Sequence, residues 1–153
     1  MIVEAKLKEL GITLPEPLKP LGVYAPAVKV GSWVYVSGMV SMEEGKFKYK
    51  GKVGKDLSIE QGYEAAKISG INALAAIKSV IGDLDKVERI VKVVGFVNSI
   101  DTFTKQPQVV NGASELFVKA FGDNGKAARS AVGVSGLPED SPVELEMIVK
   151  IKE

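Results

Sequence analysis

The amino-acid sequence predicts one α+β domain in the order β-β-α-β-α-β-β, a mixed sheet with two helices on one face. Three observations carry this. Five segments are rich in Val, Ile and aromatic residues, either alternating with polar residues or running on unbroken, and two longer segments repeat their apolar residues at helical spacing. Gly and Pro mark most boundaries between these segments. The 153 residues suit a single domain.

Taken in order, residues 3–10 predict a short amphipathic helix stopped by Gly11. Pro15, Pro17 and Pro20 forbid regular helix after it. Residues 1–20 are therefore expected to form a helix and Pro-containing arm ahead of a main domain at 21–153. Residues 23–30 and 33–37 predict a hairpin, with Gly31 and Ser32 as its two-residue turn and Gly38 ending the second strand. Residues 40–57 are polar. Lys46, Lys48, Lys50 and Lys52 recur there at period two, which puts them on one face of an extended segment.

Ser58 suits an N-cap, and Gln61 three positions on completes a capping box. Ile68, Ile71, Leu74, Ala75 and Ile81 continue an apolar helical stripe until Gly82. Residues 90–97 are apolar on both faces and predict a buried strand. A second helix is expected over 109–121, with Ala113, Leu116, Phe117 and Ala120 inward and Gly122 as its stop. Residues 129–134 predict a fourth strand and 143–152 a fifth. In the last, Val143, Leu145, Met147, Val149 and Ile151 share one face, and Glu144, Glu146 and Ile148 share the other. The strand at 90–97 has too few polar residues to meet water on the face the helices leave open. That face is expected to pack against other copies of the chain.

Composition excludes several chemistries. With no His and no Cys, neither a Ser-His-Asp nor a Cys-His nucleophile system can be built. Zinc sites of thiolate and imidazole are excluded as well. A net charge of +1 gives no electrostatic reason to expect nucleic acid or an anionic membrane as partner. No apolar run reaches the length of a membrane span, the first residues show no basic, apolar, small-residue leader pattern, so secretion is not expected, and the lack of cysteine fits a reducing compartment. A cytoplasmic protein is expected. The chain has 18 Lys but only two Arg, Arg89 and Arg129. An Arg in an apolar setting then stands out for its planar fork of donors.

Arg129 lies in Ala-Ala-Arg-Ser-Ala-Val-Gly-Val on a predicted strand. It is either a clamp for a substrate carboxylate or one half of a structural ion pair with a strand acid such as Glu144. Glu144 is either a residue that orients or deprotonates a water or a solvated strand acid. Residues 136–142 link the two strands that hold them, and neighbouring strands would bring both side chains to one pocket. The Lys46–Lys52 alternation reads as protection of an edge strand or as a phosphate-binding ribbon. Asp83 and Asp85, in a turn between helix and strand, are expected to be caps rather than metal ligands. No phosphate loop or dinucleotide glycine fingerprint is present.

Arg129-Ser130-Ala131-Val132-Gly133-Val134, then Leu137-Pro138, then Val143-Glu144-Leu145-Glu146, resembles the C-terminal signature of the reactive intermediate deaminase family (Rid, YjgF-like, also labelled endoribonuclease L-PSP). Tyr24-Ala25-Pro26-Ala27-Val28 followed by Val34-Tyr35-Val36-Ser37-Gly38 is similar to its N-terminal hairpin, and Phe96-Val97 with Phe103 and Val110-Asn111 to its middle segment. The resemblance runs from about residue 21 to 151. Met39 stands where Gln is usual, Ala131 where Cys is common and Gly133 where an acid is frequent. The stretch from Phe103 to Asn111 is long and the arm is extra, so the chain resembles a divergent subgroup.

The resemblance implies a chorismate-mutase-like fold and a homotrimer with clefts between subunits. It implies hydrolysis of 2-imino or 2-enamine acids, such as 2-aminoacrylate, to 2-keto acids and ammonia. Carried over by position, Arg129 would hold the substrate carboxylate and Glu144 the attacking water. Tyr24, Ser37 and Asn111 would line the cleft, in part from a neighbouring subunit. No metal or cofactor is required, because a protonated imine carbon is already electrophilic and orientation alone lowers the barrier. Two other functions stay open at this point: a non-catalytic trimeric module binding small carboxylates, and a ribonuclease, which the near-zero charge and missing histidine oppose.

Overall fold

The alternation of the last strand explains how the sheet sits. Val143, Leu145, Met147, Val149 and Ile151 are buried, while the residues between them are half-buried or exposed. One sheet face therefore seeks a cover, and two helices with apolar stripes supply it. The computed structural model describes residues 1–153. In chain order it contains α1 (Ile2–Glu9), β1 (Ala27–Val30), β2 (Trp33–Val40), β3 (Met42–Glu43), β4 (Lys46–Phe47), α2 (Ile59–Ile81), β5 (Val87–Asn98), α3 (Gln106–Phe121), β6 (Ala128–Val134) and β7 (Val143–Ile151). The main sheet has the order β1-β2-β7-β5-β6, and β3 and β4 form a separate two-stranded ribbon. No helix is long and apolar enough to cross a membrane.

The predicted β-β-α-β-α-β-β order is present. α2 begins at the expected capping box: Gln61 N donates to Ser58 Oγ, and Ser58 N donates to Gln61 Oε1. α2 and α3 lie against each other and against one sheet face. Gly112 permits that approach, since a Cβ there would stand 2.0 Å from the Tyr63 carbonyl oxygen. Phe117, Leu74, Ile77, Ile90, Leu145 and Val93 are among the largest fully buried side chains between the layers.

Several boundaries differ from the sequence reading; β5, for one, starts at Val87 rather than residue 90. β1 starts at Ala27 rather than residue 23. Tyr24 N instead closes a local turn on Gly22 O, and Pro26 has no N–H for a ladder. β2 does not end at Gly38 but runs to Val40, with its register shifted between Val36 and Met39. α3 starts at Gln106 rather than 109, with Pro107 in its first turn, where a missing N–H costs nothing. Residues 40–57 are not one extended ribbon. After the short β3–β4 turn the chain bends, and Lys52 turns inward, so the four lysines share no face.

The most consequential difference concerns pairing. β6 and β7 are not neighbours, because β5 lies between them. β5 and β6 are parallel, which requires a long crossover, and α3 provides it. The crossover leaves β6 on the outer edge. β7 fills the gap between β2 and β5, antiparallel to both.

The arm is held firmly. Val3, Leu7 and Ile12 join the common core. The Asp85 carboxylate receives Ile2 N at 2.7 Å and Val3 N at 2.8 Å, capping α1 from across the chain. These two bonds hold the Asp85 carboxyl below its ordinary range. Asp83 accepts from Asp85 N, so both acids cap as expected. The face of the sheet away from α2 and α3 carries exposed Val28, Val30, Trp33, Tyr35 and Val132.

Candidate active site

The residues singled out from the sequence gather in two places. The first is a cleft of about 550 Å³ whose lining includes Tyr24, Ser37, Gly38, Pro138, Glu144 and Glu146. β7 delivers Glu144 to it, opposite Val40 of β2 and Phe96 of β5. The register shift in β2 places Gly38 beneath the carboxylate: a Cβ on Gly38 would stand 2.5 Å from Glu144 Oε1. Burial pushes the Glu144 carboxyl up from its ordinary range, and the nearby Glu146 charge adds to the effect. Ser37 Oγ donates to Ala25 O at 2.6 Å, and the Tyr24 hydroxyl accepts from Leu21 N at 3.1 Å.

The second place is the junction of β6 and α3. Arg129 Nη1 donates to Asn111 Oδ1 at 2.8 Å and to Ser114 Oγ at 3.1 Å, and Nη2 reaches Pro107 O at 3.4 Å. All three acceptors are neutral. None of the four ion pairs in the molecule includes Arg129 or Glu144. The structural ion pair between them is therefore absent.

The expectation that both side chains reach one pocket of the same chain is also overturned. Arg129 lies opposite Val93 and Glu144 opposite Phe96 on the intervening strand. That separates them by two strand spacings, about 10 Å across and about 10 Å along β5. They also point to opposite faces. Arg129 shares the face of buried Val93 and Met147, towards α3, and Glu144 shares the open face.

Met39 is buried in the core beside Leu145 rather than presented to the cleft. Lys52 Nζ donates to Asn98 Oδ1 at 2.8 Å and to Ser135 O, and Asn98 Nδ2 donates to Asp140 Oδ1 at 3.1 Å. These bonds pin the 135–140 link, which carries Pro138 into the cleft wall. Lys52 thus serves neither a phosphate ribbon nor an edge strand.

Sequence reasoning missed Ser114, Gly38 and arm residues 18–22, which also line the Glu144 cleft. Ser114 follows Asn111 by three residues on a helix, a spacing that puts both on one face and was available as a signal. The arm carried none. No group of three or more acidic side chains that could hold a metal ion exists.

Comparison with known proteins agrees with this architecture. The family described as "YjgF/chorismate_mutase-like, putative endoribonuclease" matches residues 4–148. Protein TCP17 of Trypanosoma cruzi is 37% identical over 150 residues, covering 97% of this chain and 94% of that protein. A protein from Dermatophagoides farinae named 2-iminobutanoate/2-iminopropanoate deaminase is 30% identical over 141 residues, covering 92% and 95%. A crystal structure of a protein of unknown function from Agrobacterium tumefaciens superposes with a TM-score of 0.93 at 41% identity, over 99% of this chain and 93% of that one. The chain belongs to the YjgF-like family, the Rid or endoribonuclease L-PSP family that its C-terminal signature resembles.

Proposed function

We propose that this protein hydrolyses 2-imino and 2-enamine acids, such as 2-aminoacrylate, to 2-keto acids and ammonia, in clefts formed between copies of a homotrimer. The observation that carries this reading is the state of Arg129. Its guanidinium rests on three neutral oxygens and pairs with no carboxylate, a cation arranged to receive an anion. The deaminase name of the Dermatophagoides relative supports the same chemistry.

Neither cluster suffices alone. Arg129 belongs to β6, one edge of the sheet, and Glu144 lies against β2, towards the other edge. A head-to-tail contact between copies would set the β6 edge of one against the β2 side of the next, and a closed ring would repeat it. Such a ring would also cover the exposed apolar residues of the open sheet face.

In the assembled site the Arg129 fork holds the substrate carboxylate through two parallel N–H···O bonds, with Asn111 and Ser114 fixing the fork. Tyr24 and Ser37 line the neighbouring wall. An enamine first takes a proton at C3 to become the imine. Water then adds to C2 while Glu144 accepts its proton. The nitrogen takes up a proton, the C2–N bond breaks, and the remaining O–H proton leaves as the carbonyl forms. One water is consumed and one ammonia released. The raised proton affinity of Glu144 moves it towards working pH, where a group that both accepts and returns a proton is most effective.

The test is ammonia and keto-acid release from imino acids generated by an amino-acid oxidase, with Arg129→Ala beside the wild type. Faster release with the wild type alone supports the reading. Equal rates contradict it. Keto-acid binding without turnover of any imine would make the protein a non-catalytic carboxylate-binding module instead.

A further inference from the structure

We infer that a second cavity, between the arm, the β3–β4 ribbon and α2, binds a free α-amino acid with an aliphatic side chain. The inference is independent of the deaminase reading. The cavity measures about 420 Å³ and lies on the helix side of the sheet, away from the open face. No residue of the Arg129 or Glu144 cluster lines it.

The observation that points to a ligand is the side-chain amide of Asn72. This residue is 3% exposed and is the most deeply buried of the lining. Its Nδ2 donates to Val40 O at 3.0 Å and to Met42 O at 2.8 Å, which uses both amide hydrogens. The same bonds fix which end of the amide is nitrogen. Oδ1 accepts from no group of the protein. Nor is it one of the two polar atoms sealed in the interior without a partner, which are Glu4 Oε1 and Ser69 Oγ. Oδ1 therefore opens on the cavity that Asn72 lines. An acceptor set so deep sheds most of its water, and a donor that reaches it satisfies it.

The rest of the lining decides the kind of donor. Glu43 and Glu44 come from the ribbon and Glu64 from α2, and together they favour a cation beside Oδ1. Lys48, just past the ribbon, and Lys67 of α2 offer positive charge to a carboxylate. None of these five groups takes part in the four ion pairs of the molecule. Each wall thus carries both signs. A ligand with a single charge meets like charge on both walls, whereas a zwitterion finds its opposite on each. Ile68 and Ile71, from the apolar stripe of α2, stay half-buried here, and the arm lays Ile12 and Leu14 beside them. An aliphatic side chain resting on these residues leaves water. An α-amino acid carries an ammonium, a carboxylate and such a side chain on one carbon. Its ammonium goes to Asn72 Oδ1 and the glutamates, and its carboxylate to the two lysines.

The experiment is calorimetry with L-leucine on the full chain and on Arg129→Ala, which lacks the proposed carboxylate clamp of the other site. The expected result is one leucine per chain, with the same Kd in both proteins. In Arg129→Ala, 3-methylbutylamine lacks the carboxylate of leucine and 4-methylpentanoate lacks its ammonium. Each should bind more weakly than leucine by about tenfold or more. Lys67→Glu and Glu64→Lys each reverse one charge on α2 and should weaken leucine by a similar factor. Circular dichroism checks that each is folded, and either one alone decides the point. The side-chain amide signals of Asn72 should move in NMR spectra as leucine is added. No binding of leucine, binding lost in Arg129→Ala, or binding unchanged by the charge reversals overturns the inference. So does an amine or carboxylate that binds as tightly as leucine, or an Asn72 amide that does not respond. A protein inactive on every imine would leave this test intact.

Discussion

Gly38 and Glu144 share one small volume at the floor of the cleft, the Glu144 carboxylate lying where a Gly38 side chain would go. Gly38 does not have a positive φ, so its backbone accepts alanine. The added Cβ would have to displace Oε1, the end of a flexible side chain. Gly38→Ala is therefore expected to leave the melting temperature within a few degrees of wild type and to lower kcat by about tenfold or more. Thermal denaturation and the imine assay on one preparation check both.

Glu144→Gln removes the proposed acceptor of the water proton and should lower kcat/KM by roughly 10²–10⁴-fold. The wild-type profile should fall on the acid side as pH drops through the raised Glu144 value. The stability effect has the opposite sign from that of an ordinary paired carboxylate. Because the folded form holds the Glu144 proton more tightly, its contribution is most favourable below the unfolded value of about 4.3 and declines as pH rises through the folded one. Glu144→Gln should thus be at least as stable as wild type at neutral pH, as denaturant titration will show.

Asp85 behaves in the reverse sense. Its lowered value means that the capping bonds to Ile2 N and Val3 N stabilise the fold above the unfolded carboxyl range and are lost as pH falls through the folded value. Asp85→Asn should lower the melting temperature at pH 7, and its melting temperature should approach the wild-type value in strong acid. Amide exchange should show α1 fraying first.

Arg129→Ala should lower kcat/KM by somewhat over a hundredfold, about 3 kcal/mol for a charged two-bond contact. Arg129→Lys keeps the charge and loses the fork, so it should recover only part of that loss. Recovery to wild-type level would show that charge alone is enough.

Much of the fold was legible because local chemistry and tertiary structure agree. Ser58 and Gln61 cap α2 as their spacing requires, and the period-two residues of β7 turn their buried face to α2 and α3. The misreadings arise where non-local pairing decides. The 136–142 link looks like a connection between paired strands, yet the α3 crossover commits β6 to the far side of β5. Nothing in the residues near Arg129 and Glu144 records that they end on opposite faces. Arg129 and Glu144 were visible as candidate residues in a signature. The arm as a cleft wall was not, because its contact with Tyr24 depends on where three prolines carry the chain.

The division of the site between copies is tested most directly by co-expressing differently tagged Arg129→Ala and Glu144→Gln chains and isolating the oligomers that carry both tags. Each variant alone should be nearly inactive. If Arg129 of one copy meets Glu144 of the next around a trimer, every mixed oligomer keeps about a third of its clefts with both residues intact, and mixed oligomers should regain activity on that order. Mixed oligomers no more active than the two parent variants, or a wild-type chain that sediments as a single protomer, would contradict the account.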